Sequence, residues 1–243
     1  MRKTPFFQLV LCLAFLSPAA AQTVGERLRG HVDIATGISA KVQVPLPEGE
    51  WLLIHREYER TKESNIRLVK LRLVRVADGA LSGYLYVATN DELVNVGWTL
   101  PGYCSRKDVF YREPSDTRGM GGGRPFACLA INHIQMTSNP TASDGTKAFY
   151  DWVWKNTRGM PTTLVEAIYE LSDGKRYLEV IYGRNPEAEG FEPSRASWRA
   201  SEWHKDRLLG DPKRLAYMNA FRDWAVAWQA DVRDGFNGRL AAK

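Results

Sequence analysis

The stretch TTLVEAIYELSDGKRYLEVIY, residues 162–182, decides the fold class. From Val165 to Leu171 every second residue is apolar, which is the period of a strand with one buried face. Asp173 and Gly174 interrupt this pattern with turn residues, and the alternation resumes from Leu178 to Tyr182. The stretch therefore predicts a β-hairpin with antiparallel strands.

Similar patterns extend the sheet along the chain. Residues 31–98 are typical of a β meander, in which Asp78-Gly79 predicts a two-residue hairpin turn. The segment CLAINHIQM, residues 128–136, is another apolar strand candidate. The helical period appears in a shorter segment from about Thr146 to Asn156, which follows a turn-rich linker with capping residues.

The C-terminal segment predicts a long amphipathic helix. Asp211 is a good capping residue, and Pro212 suits the first helical turn. Apolar side chains then follow at helical intervals and form one stripe, which we expect to pack on the sheet: Tyr217, Phe221, Trp224, Trp228 and Val232.

These elements together predict an α+β fold. We expect an antiparallel sheet of about six to eight strands, packed against the long C-terminal helix and one shorter helix. Residues 22–243 are then one domain, and a two-domain split near Asn139 is the alternative.

Residues 1–21 have the pattern of a signal peptide. Arg2 and Lys3 precede an apolar stretch from Phe6 to Leu16, and small residues at 19–21 offer a cleavage site. We expect export to the periplasm as a soluble protein, because no later segment is long and apolar enough to span a membrane.

The charge pattern argues against a nucleic-acid partner. The formal net charge is +5, with 33 basic and 28 acidic residues. These residues are interspersed along the chain, without the basic block that nucleic-acid binding favours.

After cleavage the chain keeps two cysteines, Cys104 and Cys128. In an oxidising compartment they most simply form a disulfide with each other. The bridge closes a loop that contains the glycine-rich residues 119–123, and constrains the unfolded chain by roughly 3.5 kcal/mol. Whether this loop is a lid or only a connector stays open.

The loop matches no phosphate or metal motif. A P-loop ends in Gly-Lys-Ser/Thr, whereas these glycines end in Arg124-Pro125. A zinc site needs more ligands than Cys104, Cys128 and His133 supply at their irregular spacing. We therefore expect no metal and no cofactor.

The segment NPEAEGFEPSRASWRASEWHKD, residues 185–206, combines aromatic and charged residues without a regular period. Together with the disulfide-closed loop it predicts a ligand site, because irregular segments on a rigid sheet commonly carry binding. The alternative is that its aromatic residues only pack on the core. The candidate ligand-binding residues are Trp198, Trp203, His204 and Arg124.

No catalytic motif stands out. The histidines are scattered, so the zinc-protease helix motif is absent, and no Gly-x-Ser-x-Gly elbow occurs. We therefore expect a non-catalytic binding or envelope-associated protein, whose partner is a small molecule or an envelope protein. A hydrolase or transferase with a site near His204 or His133 is the alternative, and a purely structural domain is the third possibility.

Overall fold

The structure is a computed structural model, and it describes residues 22–38, 41–94, 97–98, 102–113, 125–137 and 143–240. The predicted signal peptide, residues 1–21, lies outside the described residues. Arg124 and the glycine-rich residues 119–123 also lie outside the described residues. The signal peptide and the ligand-binding role of Arg124 therefore stay predictions.

Most of the chain folds into strands. In chain order they are β1 Arg27–Leu28, β2 His31–Ile34, β3 Val42–Pro45, β4 Trp51–Arg60, β5 Arg67–Ala77, β6 Ala80–Asn90, β7 Tyr111–Arg112, β8 Phe126–Gln135, β9 Thr163–Ser172 and β10 Tyr177–Arg184. Strands β2 and β3 form a small two-stranded sheet. The other eight form one antiparallel sheet in the order β1-β4-β5-β6-β10-β9-β8-β7.

The helices are α1 Gly102–Ser105, α2 Asp144–Asn156, α3 Lys205–Leu208 and α4 Pro212–Phe236. Both predicted helices are present, so the α+β prediction is confirmed. The Ser143 side chain accepts a hydrogen bond from the Thr146 amide at the start of α2. Asp211 caps α4 in the same way through the Arg214 amide. No helix among these ranges is both long and apolar enough to cross a bilayer.

Two hairpins set the order of the sheet. Ala77 pairs with Ala80, and Asp78 and Gly79 both have positive φ, 49° and 73°, as a tight two-residue turn requires. In the β9–β10 hairpin Ser172 pairs with Tyr177, so the loop is longer than the Asp-Gly pair alone. The three-stranded meanders β4–β6 and β8–β10 meet where β6 pairs with β10.

One face of the sheet, which we name the helix face, is covered by α4. Buried side chains on α4 are Met218, Phe221, Ala225, Trp228, Val232 and Phe236. Trp228 contacts Tyr169 and Tyr182 with ring centroids 5.6 Å and 6.0 Å apart. Tyr217 and Trp224 also belong to the predicted stripe. They are only partly buried and pack against the margin of the core.

Among the described elements, α2 and α1 each cover part of the other face, which we name the open face. Helix α2 packs Phe149 and Val153 against Val74, Leu81 and Leu164. At the opposite side of this face, a disulfide between Cys104 and Cys128 joins α1 to β8, with Cα atoms 5.8 Å apart. The predicted pairing of the two cysteines is thus present in the structure.

Two tryptophans on different helices test the packing of α4. We expect Trp228→Ala to lower the free energy of unfolding by roughly 3–5 kcal/mol, because a large buried ring leaves a cavity. Trp154→Ala on α2 is the matched control, since Trp154 is 64% exposed. Chemical denaturation measures both, and equal small effects would contradict burial of Trp228.

Candidate functional site

Three glutamates lie on the open face of the two strands that form the C-terminal hairpin. Glu170 of β9 is directly opposite Glu179 of β10. The same cross-strand row continues to Cys128 on one side and to Ala88 and Lys70 on the other. Side chains in such pairs have Cβ atoms about 5 Å apart, so Glu170 and Glu179 are immediate neighbours.

A second polar row lies further along the strands. Glu166 of β9 is opposite Gly183 of β10 and Asn132 of β8, and Gly183 is opposite Tyr84 of β6. Glu166 and Glu170 therefore point to the same side of β9, because strand side chains alternate with period two. We name Glu166, Glu170 and Glu179 the carboxyl cluster.

An apolar row separates the two polar rows. Ile168 of β9 pairs with Ile181 of β10 and with Ala130 of β8. Ile181 pairs in turn with Tyr86 of β6. Along the sheet the open face thus changes from acidic to apolar and back to acidic.

The open face is buried along β9 and partly exposed along β6 and β10. Strands β6 and β10 have neighbours on both sides, yet Tyr84, Tyr86, Glu179 and Ile181 are only partly buried. Glu166 and Glu170 lie deeper, with 5% and 1% of their surface exposed. A ligand on this face would contact the partly buried side chains first.

Burial changes the acidity of the cluster. It raises the pKa of Glu170 to about 9 and that of Glu166 to about 8, and the nearby charge of Glu179 adds to both shifts. Burial also raises the pKa of Glu179 to about 7, although the positive charge of Lys70 partly opposes this shift. At neutral pH, Glu166 and Glu170 are therefore mainly protonated.

Other acids on the open face have basic partners. Glu57 accepts a hydrogen bond of 2.8 Å from the Arg72 guanidinium, and Glu59 is paired with Lys70. Within the part of the chain that the structure describes, no salt bridge reaches the carboxyl cluster. The cluster differs from its neighbours in this respect.

The Arg72–Glu57 pair marks the border between the cluster and α2. Arg72 also donates to the Thr146 hydroxyl at 3.3 Å and lies over the Tyr86 ring at 5.0 Å. Gly145 packs directly on the pair, and a Cβ at this position would overlap both charged groups. A glycine here lets α2 approach the sheet closely.

Tyr103 of α1 is affected by the charges of the cluster. Burial raises the pKa of its phenol, and the charges of Glu166 and Glu179 raise it further. The Glu170 carboxyl contacts Cys104 Sγ at 3.2 Å. Helix α1 and its disulfide thus form part of the cover over Glu170.

The disulfide does not create a metal site. In the described ranges, one group of three potential ligand atoms lies within 4.8 Å, and it consists of Cys104, Cys128 and Glu170. Both sulfurs are bonded to each other, so neither is a thiolate that could bind a metal.

Two predicted ligand residues, Trp198 and His204, lie together in a different place. The Trp198 ring stacks on His133 at 5.2 Å, and His204 contacts it edge-on at 4.7 Å. Arg106, at the base of the disulfide-closed loop, lies over the Trp198 ring at 5.3 Å. Arg106 thus brings the start of the disulfide-closed loop next to the 185–206 segment.

Trp203 occupies the apolar core. It is 1% exposed and packs edge-on against Phe191 and Tyr217, with ring centroids 5.0 Å and 5.6 Å apart. This placement favours the alternative that the aromatic residue serves packing.

His133 and the carboxyl cluster lie on opposite faces of the sheet. His133 pairs with Val165, which faces α4, whereas its neighbour Asn132 pairs with Glu166. Burial lowers the pKa of His133 to about 4, so its ring is neutral at pH 7. His204 Nδ1 lies 3.5 Å from the exposed carboxylate of Asp206. No salt bridge between described residues joins His133 to a carboxylate.

The carboxyl cluster was not predicted from the sequence. Glu166, Glu170 and Glu179 occupy polar positions of an alternating hairpin, and such positions usually face water. One sequence signal could have indicated the cluster. Within the two strands, no basic residue occupies a polar position between Glu166 and Glu179.

Comparison of the chain with protein-family models, curated proteins and solved structures found no match. The site is therefore interpreted from its own geometry and chemistry.

The raised pKa values predict a stability that falls as pH rises. Above the ordinary value of 4.5 the unfolded chain ionises first, so it holds fewer protons than the fold until about pH 9. We expect Glu170→Gln to make the decline shallower, by up to about 1.4 kcal/mol per pH unit. Denaturation at several pH values measures this. Glu192→Gln, at an exposed loop position, is the control, and equal slopes would refute the assignment.

Gly145 provides an independent test of the packing beside the cluster. We expect Gly145→Ala to destabilise the protein by roughly 1–3 kcal/mol, because the new methyl group overpacks the Arg72–Glu57 pair. Gly102→Ala is the matched control, since an added Cβ at Gly102 meets nothing within 4 Å. Thermal denaturation compares the two variants, and a neutral Gly145→Ala would contradict the close approach.

Proposed function

We propose that the protein is an exported, non-catalytic binding protein whose ligand is a small organic cation. The ligand would lie on the open face of the sheet, against the carboxyl cluster. The Cys104–Cys128 disulfide supports export, because disulfides persist in oxidising compartments such as the periplasm.

The observation that carries the proposal is the contrast among acids on one face. Glu57 and Glu59 form salt bridges, whereas no salt bridge between described residues reaches the carboxyl cluster, although the charge of Lys70 acts on Glu179. A buried carboxylate without a partner is costly, and a bound cation offsets that cost by supplying the missing charge. The ring of Tyr84, which packs against Phe149 of α2 with centroids 4.4 Å apart, lies in the same row as Glu166.

Binding of a cation would be linked to proton release. The pKa values of Glu166 and Glu170, about 8 and about 9, keep both carboxyls mainly protonated at pH 7. A cation favours their ionised forms, so its affinity rises with pH through this range. A neutral ligand that accepts hydrogen bonds from the protonated carboxyls has the opposite dependence.

The spacing of the cluster favours an organic cation over a metal ion. Among the described residues, the three carboxyl groups do not come within 4.8 Å of one another as a set. Three ligand oxygens around one small ion must be closer than that, since metal–oxygen distances are about 2.0–2.6 Å.

A hydrolase is the second candidate function. Glu170 and Glu179 are opposite each other, and their environments separate their pKa values, about 9 and about 7. Such a difference is typical of an acid and a base that act together. On this hypothesis Glu170 donates a proton to a leaving group and Glu179 acts as the base, without His133 or His204. Product formation that Glu179→Gln abolishes would favour it over simple binding.

Three molecules of equal length and different charge test the binding proposal: 1,6-diaminohexane, 1,6-hexanediol and adipate. We expect calorimetry to detect binding of the diamine alone, with an affinity at least about tenfold higher at pH 9 than at pH 6. Titration in two buffers of different ionisation enthalpy should show proton release. Glu179→Gln should weaken binding, whereas Glu192→Gln should not.

Binding of the diol or of adipate with no binding of the diamine would overturn the proposal. Failure of all three to bind at either pH would overturn it as well.

A further inference from the structure

We infer that the protein has a second binding site, a cavity for small molecules that carry a phosphate or carboxylate group. The cavity has a volume of about 350 Å³ and is lined by the loop that follows β2 and by strands β4 and β5. Its lining residues are 35–37, Arg56, Tyr58, Arg67 and Asp91. We name it the arginine cavity. The inference goes beyond the proposed function, because this cavity contains no residue of the carboxyl cluster.

The arginine cavity lies on the helix face of the sheet. Arg56 pairs with Leu71, and Tyr58 pairs with Val69. Leu71 and Val69 belong to the core that includes α4, and paired side chains point to the same face. Arg67 precedes Val69 by two residues, so it shares that face. Tyr58 is 54% exposed and the Arg67 side chain is 46% exposed, so a ligand in solution reaches both.

Two guanidinium groups lie close to one aromatic ring in this cavity. The Cζ atoms of Arg56 and Arg67 are each 5.6 Å from the centroid of the Tyr58 ring. Arg56 also donates a hydrogen bond of 2.9 Å to the Tyr58 hydroxyl and one of 3.3 Å to the Gln22 carbonyl. These contacts hold the arginines in place, so a ligand that binds them loses less affinity to the ordering of side chains.

The charge of the cavity favours an anion. Asp91 is 5% exposed, accepts a hydrogen bond of 2.7 Å from the Gly37 amide and forms a salt bridge with Arg67. Within the described part of the chain, Arg56 forms no salt bridge with an acid. The two arginines against one aspartate leave the lining with a net charge of +1.

The donors of Arg56 suit an oxyanion. A guanidinium has five N–H donors in a planar fork, and the hydrogen bonds to Tyr58 and Gln22 use two of them. Phosphate and carboxylate groups accept pairs of hydrogen bonds from such a fork, and these charge-assisted bonds are stronger than neutral ones. The exposed Tyr58 ring adds a surface on which an aromatic ligand can stack.

Three probes that share one aromatic ring test the inference: phenyl phosphate, benzoate and benzyl alcohol. Calorimetry at pH 7 and low ionic strength gives their affinities, since salt screens exposed charges. We expect phenyl phosphate or benzoate to bind at least about tenfold more tightly than benzyl alcohol, because only the anions pair with the guanidinium groups. The tighter of the two anions identifies whether phosphate or carboxylate is the preferred group.

Variants of one arginine place the binding in this cavity. Arg56→Gln removes the guanidinium and should weaken the preferred anion at least about tenfold. Arg56→Lys keeps the charge without the planar fork, and it should recover only part of the affinity. Arg29→Gln is the matched control, because the Arg29 side chain is 72% exposed and lies outside the cavity. Circular dichroism establishes that each variant is folded.

Two kinds of result would overturn the inference. One is benzyl alcohol that binds as tightly as the anions, or no binding of either anion. The other is an equal loss of affinity in Arg56→Gln and Arg29→Gln, which indicates nonspecific attraction to surface charge. Glu179→Gln should bind the anions as the unaltered protein does. The two sites share no residue, so failure of this inference leaves the proposed function intact.

Discussion

Helix α4 packs along one face of the sheet, and this contact fixes the orientation of the strands beneath it. Trp228 packs against Tyr169 and Tyr182, and the Tyr169 hydroxyl donates a hydrogen bond of 2.8 Å to the Ala225 carbonyl. Side chains alternate along a strand, so burying these tyrosines under α4 places Glu170 on the opposite face. A slip of one residue in register would bring the glutamate into the apolar core, and the packing of α4 excludes that slip.

The carboxyl cluster lowers the free energy of unfolding of the protein. The buried acids of the cluster form no salt bridge with other described residues. Because their pKa values are raised in the fold, they lower the free energy of unfolding at any pH at which they ionise in the unfolded chain. The neighbouring Arg72–Glu57 pair shows that the same face accommodates a neutralised acid, with Gly145 allowing α2 to approach it. Functional sites commonly contain groups that lower the stability of the fold, because those groups are needed for activity.

Much of the fold could be predicted because its strands and helices have clear periods. The stripe through Phe221 and Trp228 specifies one buried face of a helix, and the structure confirms it. The alternation from Val165 to Leu171 correctly predicts a strand, but its polar positions do not face water, because every residue of β9 is buried. The site could not be predicted in the same way, because Glu170 is covered by α1, a four-residue helix far from it in sequence. The sequence of 185–206 has no regular period. It therefore could not distinguish Trp198, which stacks on His133, from Trp203, which is buried in the core.

The order of strands has a consequence for how the protein folds. Each meander, β4–β6 and β8–β10, contains neighbours in sequence, whereas β6 and β10 are joined across a long intervening segment. Pairings between distant segments form slowly, because closing a long loop loses chain entropy before contacts repay it. The junction of β6 and β10 is therefore a late step in folding. Tyr86 and Ile181 face each other across this junction, so this part of the open face is assembled only when the two halves have met.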